Sequence, residues 1–372
     1  GSFGVVWEAQ ELLAGAAQVG KSKGPTVALK CSKPTNKQML EACMLEAEVL
    51  RSLAAALPSK ADCLKRVPQY LAHCVVGDVL PGAAASAMTS REVRSEVFVA
   101  MTKLEGRPLD QWLYGVDENR LKTVDVSQVL KGPFPGAAFG TRTLAGACRV
   151  VVQLLSQMSS VFMPLSGIAY HRDISAHNFL IRDGADDVQF ALLDFGLAVR
   201  ASSWHQDFQS RNISGDPRYF TPAAWMLIVY GHKYLQAHPD SSFLGQYKSR
   251  LDHFSFGLLC LEVLFGLWHV PDAEAAAKLA TPGEAPKDAI EPAQALGKVR
   301  NAWHGVWQDA MRFFQMFHAK GFAATREALA RSQAVSKYAD KLRTLCTELR
   351  GAAELCKGSE GGAAVAAVLE VL

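Results

Sequence analysis

Apolar positions recur along this chain in two registers. Near the start, FGVVWEA and TVALKCS have the short β-branched and apolar content of strands. Between Asn36 and Leu57 the register changes. Met39, Ala42, Cys43, Leu45, Val49, Leu50 and Leu53 recur at three and four, which predicts a helix that Pro58 ends. VPQYLAHCVVG and EVFVAMTKL predict two further strands, with the small-residue loop PGAAASAMTS between them. From Leu109 onward helices dominate. RVVVQLLSQMSSVFMPL is an apolar helix, and FSFGLLCLEVLFGLW is apolar on every side, as a central buried helix should be. Two stretches, VDENRLKTVDVSQVLKGPFPGAAFGTR and HVPDAEAAAKLATPGEAPKDAIEPA, are expected to be inserted loops. The tail from about Ala323 is Ala-rich and charged, with strong helix formers. A small β-rich lobe followed by a larger α-helical lobe leaves a cleft between lobes as the expected ligand site.

Length and composition narrow this picture. At 372 residues the chain exceeds one ordinary core, and 49% hydrophobic against 20% charged residues makes it globular. A net charge of +3, with basic residues scattered, gives no case for a nucleic-acid partner. The eight cysteines (Cys31, Cys43, Cys63, Cys74, Cys148, Cys260, Cys346 and Cys356) form no CxxC pair. They are expected to be reduced thiols of an intracellular, cytoplasmic protein. The apolar run Phe254 to Trp268 is too short for a bilayer and holds Glu262, so no membrane insertion is expected.

Four short stretches carry candidate chemistry. In YHRDISAHNFLI, Asp173 and Asn178 stand five apart ahead of a strand. One would accept a proton and the other hold a hard cation, or the stretch is an ordinary polar turn. In FALLDFGLAV, Asp194 ends a buried run, suited to a Mg²⁺ ligand or simply to the start of a turn with Gly196. Lys30 in TVALKCS sits in an apolar strand, pointing outward or meeting an anion. Glu46 in the following helix is a candidate partner, with Glu41 and Glu48 as rivals. The opening GSFG permits backbone N–H groups to close over phosphates, or is a plain hairpin turn.

Order is more informative than any single stretch. GxxGxV, VALK, a helix glutamate, HRD-x₄-N, DFG and DHFSFG follow one another along one chain, and together they resemble the eukaryotic protein kinase family. The resemblance runs from Gly1 to about Trp268. It implies an α+β, bilobal protein-kinase-like fold: a small antiparallel N-lobe with one helix, then a larger, mainly helical C-lobe. The implied division is 1–104 for the N-lobe and hinge, 105–320 for the C-lobe with insertions near 115–142 and 269–297, and 321–372 for a helical tail. Gly1, Gly4 and Val6 match the later part of the family's GxGxxGxV loop. The chain is therefore expected to be a fragment that begins inside that loop, without the family's first strand.

The resemblance also implies roles. Lys30 would hold the α- and β-phosphates of ATP and pair with Glu46, because EAEVLRSL matches the family's E-x-x-x-L-x-x-L phrase. Val6 and Ala28 would sandwich adenine, Met101 would be the gatekeeper, and Thr102, Lys103 and Leu104 the hinge. Asp173 would orient or deprotonate the acceptor hydroxyl, while Asn178 and Asp194 would hold Mg²⁺. Asp252 would brace the catalytic loop. Arg172 would meet a phosphate on the segment from Asp194 to Pro222, with Ser210 or Ser214 favoured over Ser202 and Ser203. Three positions depart from the family. Ser175 replaces the lysine usual in serine/threonine kinases, Asp216 replaces a threonine, and Ala223 replaces the glutamate of APE. His177 stands where tyrosine kinases carry an arginine. The expected function is an ATP- and Mg²⁺-dependent protein kinase acting on protein Ser/Thr hydroxyls. The alternatives are a pseudokinase scaffold that binds nucleotide or a partner, and a small-molecule kinase.

Overall fold

The computed structural model describes residues 4–12, 23–58, 64–77, 95–131, 136–183, 187–268, 287–357 and 363–371. The fold mixes α and β, with antiparallel strand pairs and a helical C-terminal part. The chain divides into two compact units. The first holds residues 1–106, 157–173 and 190–207, and the second holds 107–156, 174–189 and 208–372.

The first unit is built on a four-stranded sheet, order β1-β2-β4-β3, from β1 (Val5–Leu12), β2 (Lys23–Ser32), β3 (Tyr70–Gly77) and β4 (Ser95–Thr102). Strand β4 shows the period of two that a sheet imposes: Ser95, Val97, Val99 and Met101 are buried, and the residues between them are half-exposed. Helix α1 (Lys37–Ala56) packs against β3 and β4. Asn36 caps it, its side chain accepting from the Met39 N–H at 2.9 Å, which satisfies a donor the first turn cannot. Its buried stripe is Cys43, Glu46, Ala47, Val49, Leu50 and Leu53. One member of that stripe is a carboxylate, and Lys30 explains it below.

The second unit is helical around α10 (Leu251–Leu267), buried from Leu258 to Leu267. Before it come β5 (Arg107–Pro108), α2 (Leu109–Tyr114), α3 (Glu118–Leu121), α4 (Val126–Lys131), the start of α5 (Leu144–Ile168), β7 (Phe179–Asp183), α7 (Pro222–Tyr230), α8 (His232–Ala237) and α9 (Ser242–Ser249). The remaining short elements, β6 (Ala169–Tyr170), β9 (Val199–Arg200) and α6 (Ala201–Asp207), belong to the first unit, while β8 (Val188–Leu192) runs from the second into the first. After α10, helix α11 (Lys287–Ser332) breaks at Gly321, whose φ of 74° is left-handed, and α12 (Ala334–Lys357) packs on α11. Helix α13 (Ala363–Val371) packs on α12. Stacked Phe265, Trp303 and Trp307 join α10 to α11.

The structure corrects the expected loops. Residues 115–142 carry α3 and α4, and Leu121, Val124, Val129 and Phe139 are buried. Of the second expected loop, the structure describes the part from Lys287 on, which is helix; residues 269–286 lie outside the described residues, as does PGAAASAMTS. By length and composition, α5 is apolar enough to cross a membrane. That is a weak signal, since core helices share it; Val150, Val151, Leu154, Met158, Val161 and Leu165 of α5 are buried, and 28% of the apolar window is buried in all.

Asn36→Ala should cost about 1 kcal/mol in chemical denaturation, while Asn36→Asp should cost a few tenths at most. Equal losses in the two variants would mean the cap contributes nothing.

Candidate active site

Sheet register brings four candidate nucleotide residues to one face of the first unit. Val6 pairs with Lys30 across β1–β2, and Ala28 pairs with Met101 across β2–β4. Directly opposed residues share a face, and residues two apart on β2 share it too. Val6, Ala28, Lys30 and Met101 therefore line one side. Val6 is exposed, Ala28 half-exposed and Met101 buried. Gly4 lies just before β1, where a Cβ would collide with the Cys31 carbonyl oxygen, so the close approach needs glycine. Gly1 lies outside the described residues. At the end of β4, Thr102 donates its N–H to Gln69 O at 2.9 Å and accepts from the Gln69 N–H at 2.8 Å. Lys103 pairs with Glu8, and Leu104 is half-buried.

Lys30 is the centre of the unit. Its ammonium donates to Glu46 Oε1 at 2.8 Å and to Asp194 Oδ1 at 2.7 Å. The Lys30 and Glu46 side chains are 7% and 4% exposed, and that of Asp194 is 40% exposed. Burial would lower the Lys30 pKa, but the Glu46 and Asp194 carboxylates outweigh it and raise it. For Glu46 burial dominates and the pKa rises. For Asp194 burial also pushes upward, but Lys30 and the Gly196 N–H together prevail and the carboxyl stays below its usual range. The two rivals have other partners: Glu48 pairs with Arg200, and Glu41 lies 4.0 Å from Lys37. Gly196 completes the packing, since a Cβ there would sit 3.0 Å from Lys30 Nζ and 3.1 Å from Asp194 Oδ1.

The loop ending in Asp173 is tied to the loop of Asp194. His171 Nδ1 accepts from the Asp173 N–H at 3.3 Å, so its Nε2–H donates to Leu193 O at 2.9 Å. The His171 ring meets Phe195 edge-on at 4.8 Å. Arg172 and Asp194 have left-handed φ values of 69° and 57°. Such backbone costs on the order of 1 kcal/mol or more per residue and marks candidate functional positions. The Arg172 guanidinium lies over Trp204 at 5.2 Å. Ser202 and Ser203 sit in α6 with Trp204, Ser210 is exposed, and Ser214 is half-buried.

Asn178 falls in the second unit, in the 3-10 turn Ala176–Asn178, with its side chain buried. Beside it Ser175 is buried, and His177 is exposed with Nδ1 3.4 Å from Asp110 Oδ2 and 3.7 Å from Glu118 Oε2. Its bond to Asp110 raises the His177 pKa against the opposing effect of burial, and Glu118 adds to the rise. Both Asp216 oxygens hold the buried Arg218, which also stacks on Phe314 at 4.6 Å. Ala223 is buried, and Thr221 starts α7 by accepting from the Ala224 N–H at 3.0 Å. Asp252 is buried in the first turn of α10.

Sequence reasoning missed a second buried carboxylate of consequence. Glu262 on α10 accepts from Tyr114 Oη at 2.7 Å and from Tyr219 Oη at 2.5 Å. The available signal was a lone glutamate inside an otherwise apolar helix, which has to find donors. Among the described residues no cluster of three or more His, Cys, Asp or Glu is arranged to hold a metal ion. No family model and no curated protein matches this chain.

Lys30→Met should destabilise the chain by about 3 kcal/mol, because it leaves Glu46 buried without its cation. Adding Glu46→Gln should recover most of that loss, as a double-mutant cycle in denaturant would measure. Strictly additive losses would show that the pair is not coupled.

Proposed function

We propose that the chain is an ATP- and Mg²⁺-dependent protein kinase that transfers the γ-phosphate to Ser or Thr hydroxyls of proteins. The observation that carries this reading is the Lys30 ammonium bonded at once to Glu46 and Asp194. Lysine of VALK, a helix glutamate and aspartate of DFG lie 16 and 164 residues from one another's partner along the chain, yet meet at one point. The mixed α+β architecture, with a sheet and one helix early and helices late, is compatible with a bilobal kinase-like fold.

Each residue then has a task. Lys30, fixed by Glu46 and on one sheet face with Ala28 and Val6, would bind the α- and β-phosphates beneath the adenine. Asp173 would accept the proton of the attacking hydroxyl, with its backbone N–H anchored by His171. Asp194, ionised and partly exposed, is a hard oxygen donor of the kind Mg²⁺ takes, and Mg²⁺ held there would neutralise charge on the phosphate oxygens; the resemblance gives Asn178, in the second unit, the same role. Positioning and charge neutralisation are most of what phosphoryl transfer asks of a protein.

One observation favours a second reading, a pseudokinase scaffold. Ser175 is a buried, uncharged residue where the resemblance leads one to expect a lysine against the γ-phosphate. Losing such a charge would lower the rate roughly a hundred-fold or more.

Phosphate transfer from labelled ATP·Mg²⁺ to a mixed protein and peptide panel separates the two readings. Transfer to Ser or Thr that falls at least ~100-fold in both Asp194→Ala and Asp173→Asn is expected. Transfer unchanged in those variants would sink the assignment of residues. Mg²⁺-dependent ATP binding with no transfer would favour the scaffold.

A further inference from the structure

The hydrogen bonds around Glu262 have a direction. On one side Tyr114 donates to Glu262 Oε1 at 2.7 Å. On the other side the Ala176 N–H donates to the Tyr219 hydroxyl at 3.1 Å, and Tyr219 donates to Glu262 Oε2 at 2.5 Å. Both chains run donor to acceptor and end on the same carboxylate. Ala176 lies in the 3-10 turn that carries Asn178. The Tyr219 carbonyl shares the Ser255 hydroxyl, at 2.8 Å, with the Leu251 carbonyl at 2.9 Å. All of these residues belong to the second unit.

An ionised Glu262 satisfies both chains, since it has only acceptors to offer. A protonated Glu262 does not. Its O–H then donates to a phenol, and the Tyr219 phenol already accepts from the Ala176 N–H. The phenol's own proton must then turn away from Glu262. If that phenol is Tyr219, the proton turns towards the Ala176 N–H and opposes it. The phenols do not supply the change themselves, because burial first, and then the Glu262 charge, raise both their pKa values well above the ordinary one.

We infer that Glu262 is a positioning residue that holds the backbone of the Ser175–Asn178 turn through the Tyr219 hydroxyl, and that its gain of a proton loosens that hold. The charged and titratable groups around it are Arg218, Asp216, Tyr219 and Tyr114, with His304 lining the same small cavity. Burial raises the Glu262 pKa to about 7, against the Arg218 charge and the two phenol donors, which pull it down. The turn is therefore held tightly above neutral pH and loosened below it. The inference rests on the kinase reading only where it calls this turn part of the catalytic loop.

The test is amide hydrogen exchange at Ala176 in the full chain, with rates corrected for the intrinsic effect of pH. Protection in the natural sequence should fall between about pH 8 and about pH 6 when Ala176 exchanges through an opening that removes the Tyr219 donor but leaves Glu262 buried, because losing that donor raises the Glu262 pKa further. Glu262→Gln and Tyr219→Phe should be poorly protected and flat across that range, and Tyr114→Phe should keep a pH response. Phosphate transfer measured alongside should follow protection in the natural sequence and lose its pH dependence in Glu262→Gln. A pH-independent Ala176 in the natural sequence would overturn the inference even if every variant failed to fold. Absence of transfer at every pH, with the Ala176 response intact, would count against the kinase reading and leave the positioning role standing.

Discussion

Everything in the first unit depends on keeping one ammonium charged away from water. A lysine as buried as Lys30 loses its proton or unfolds its surroundings unless anions repay the lost hydration. The fold brings two, from a helix and from a distant loop, and so joins β2, α1 and the Asp194 loop through one nitrogen. One cation between two carboxylates cannot satisfy both equally. Burial raises the Glu46 pKa, whereas Lys30 and the Gly196 N–H hold that of the more exposed Asp194 down. Paired groups whose environments push their pKa values apart are the usual mark of divided chemical roles.

Secondary elements governed by local period were legible. The stripe in α1 and the alternation in β4 follow from which residues touch the core, and that is written in the spacing. The choice of Glu46 over Glu41 and Glu48 came from a family phrase rather than from period, and the geometry gives each of the three its own partner. What failed were the expected loops. In residues 115–142 the buried Leu121, Val124, Val129 and Phe139 are scattered along a stretch that also holds the turn-forming run GPFPG. Those four are spaced too irregularly to declare a face, and only the surrounding helices make them core. Composition describes a segment by itself, and burial is settled by what lies against it.

Glu262 was illegible for another reason. Its donors stand 148 and 43 residues away, so no window around the glutamate contains them. A charge in the middle of FSFGLLCLEVLFGLW announces that partners exist without naming them. Arg218 and Asp216 are the converse case. They are two residues apart and form their ion pair locally, yet nothing in GDPRYF says that the guanidinium will be wholly buried against Phe314.

The departures at Asp216 and Ala223 now have a structural setting. Asp216 does not face outward as a lone anion, because Arg218 takes both of its oxygens. Ala223 needs no ionic partner, because a buried methyl beside a Thr-capped helix start is satisfied by packing. Close by, Tyr219 joins the backbone of the Ser175–Asn178 turn to the central helix α10. An ion pair at the surface of a segment is screened and adjustable. A phenol held between a buried carboxylate and a backbone N–H is neither, because moving it leaves an unpaired polar group on both sides. The second unit thus holds this segment by buried hydrogen bonds beside the buried Asp216–Arg218 ion pair, and the carboxyl that receives those bonds has a pKa of about 7.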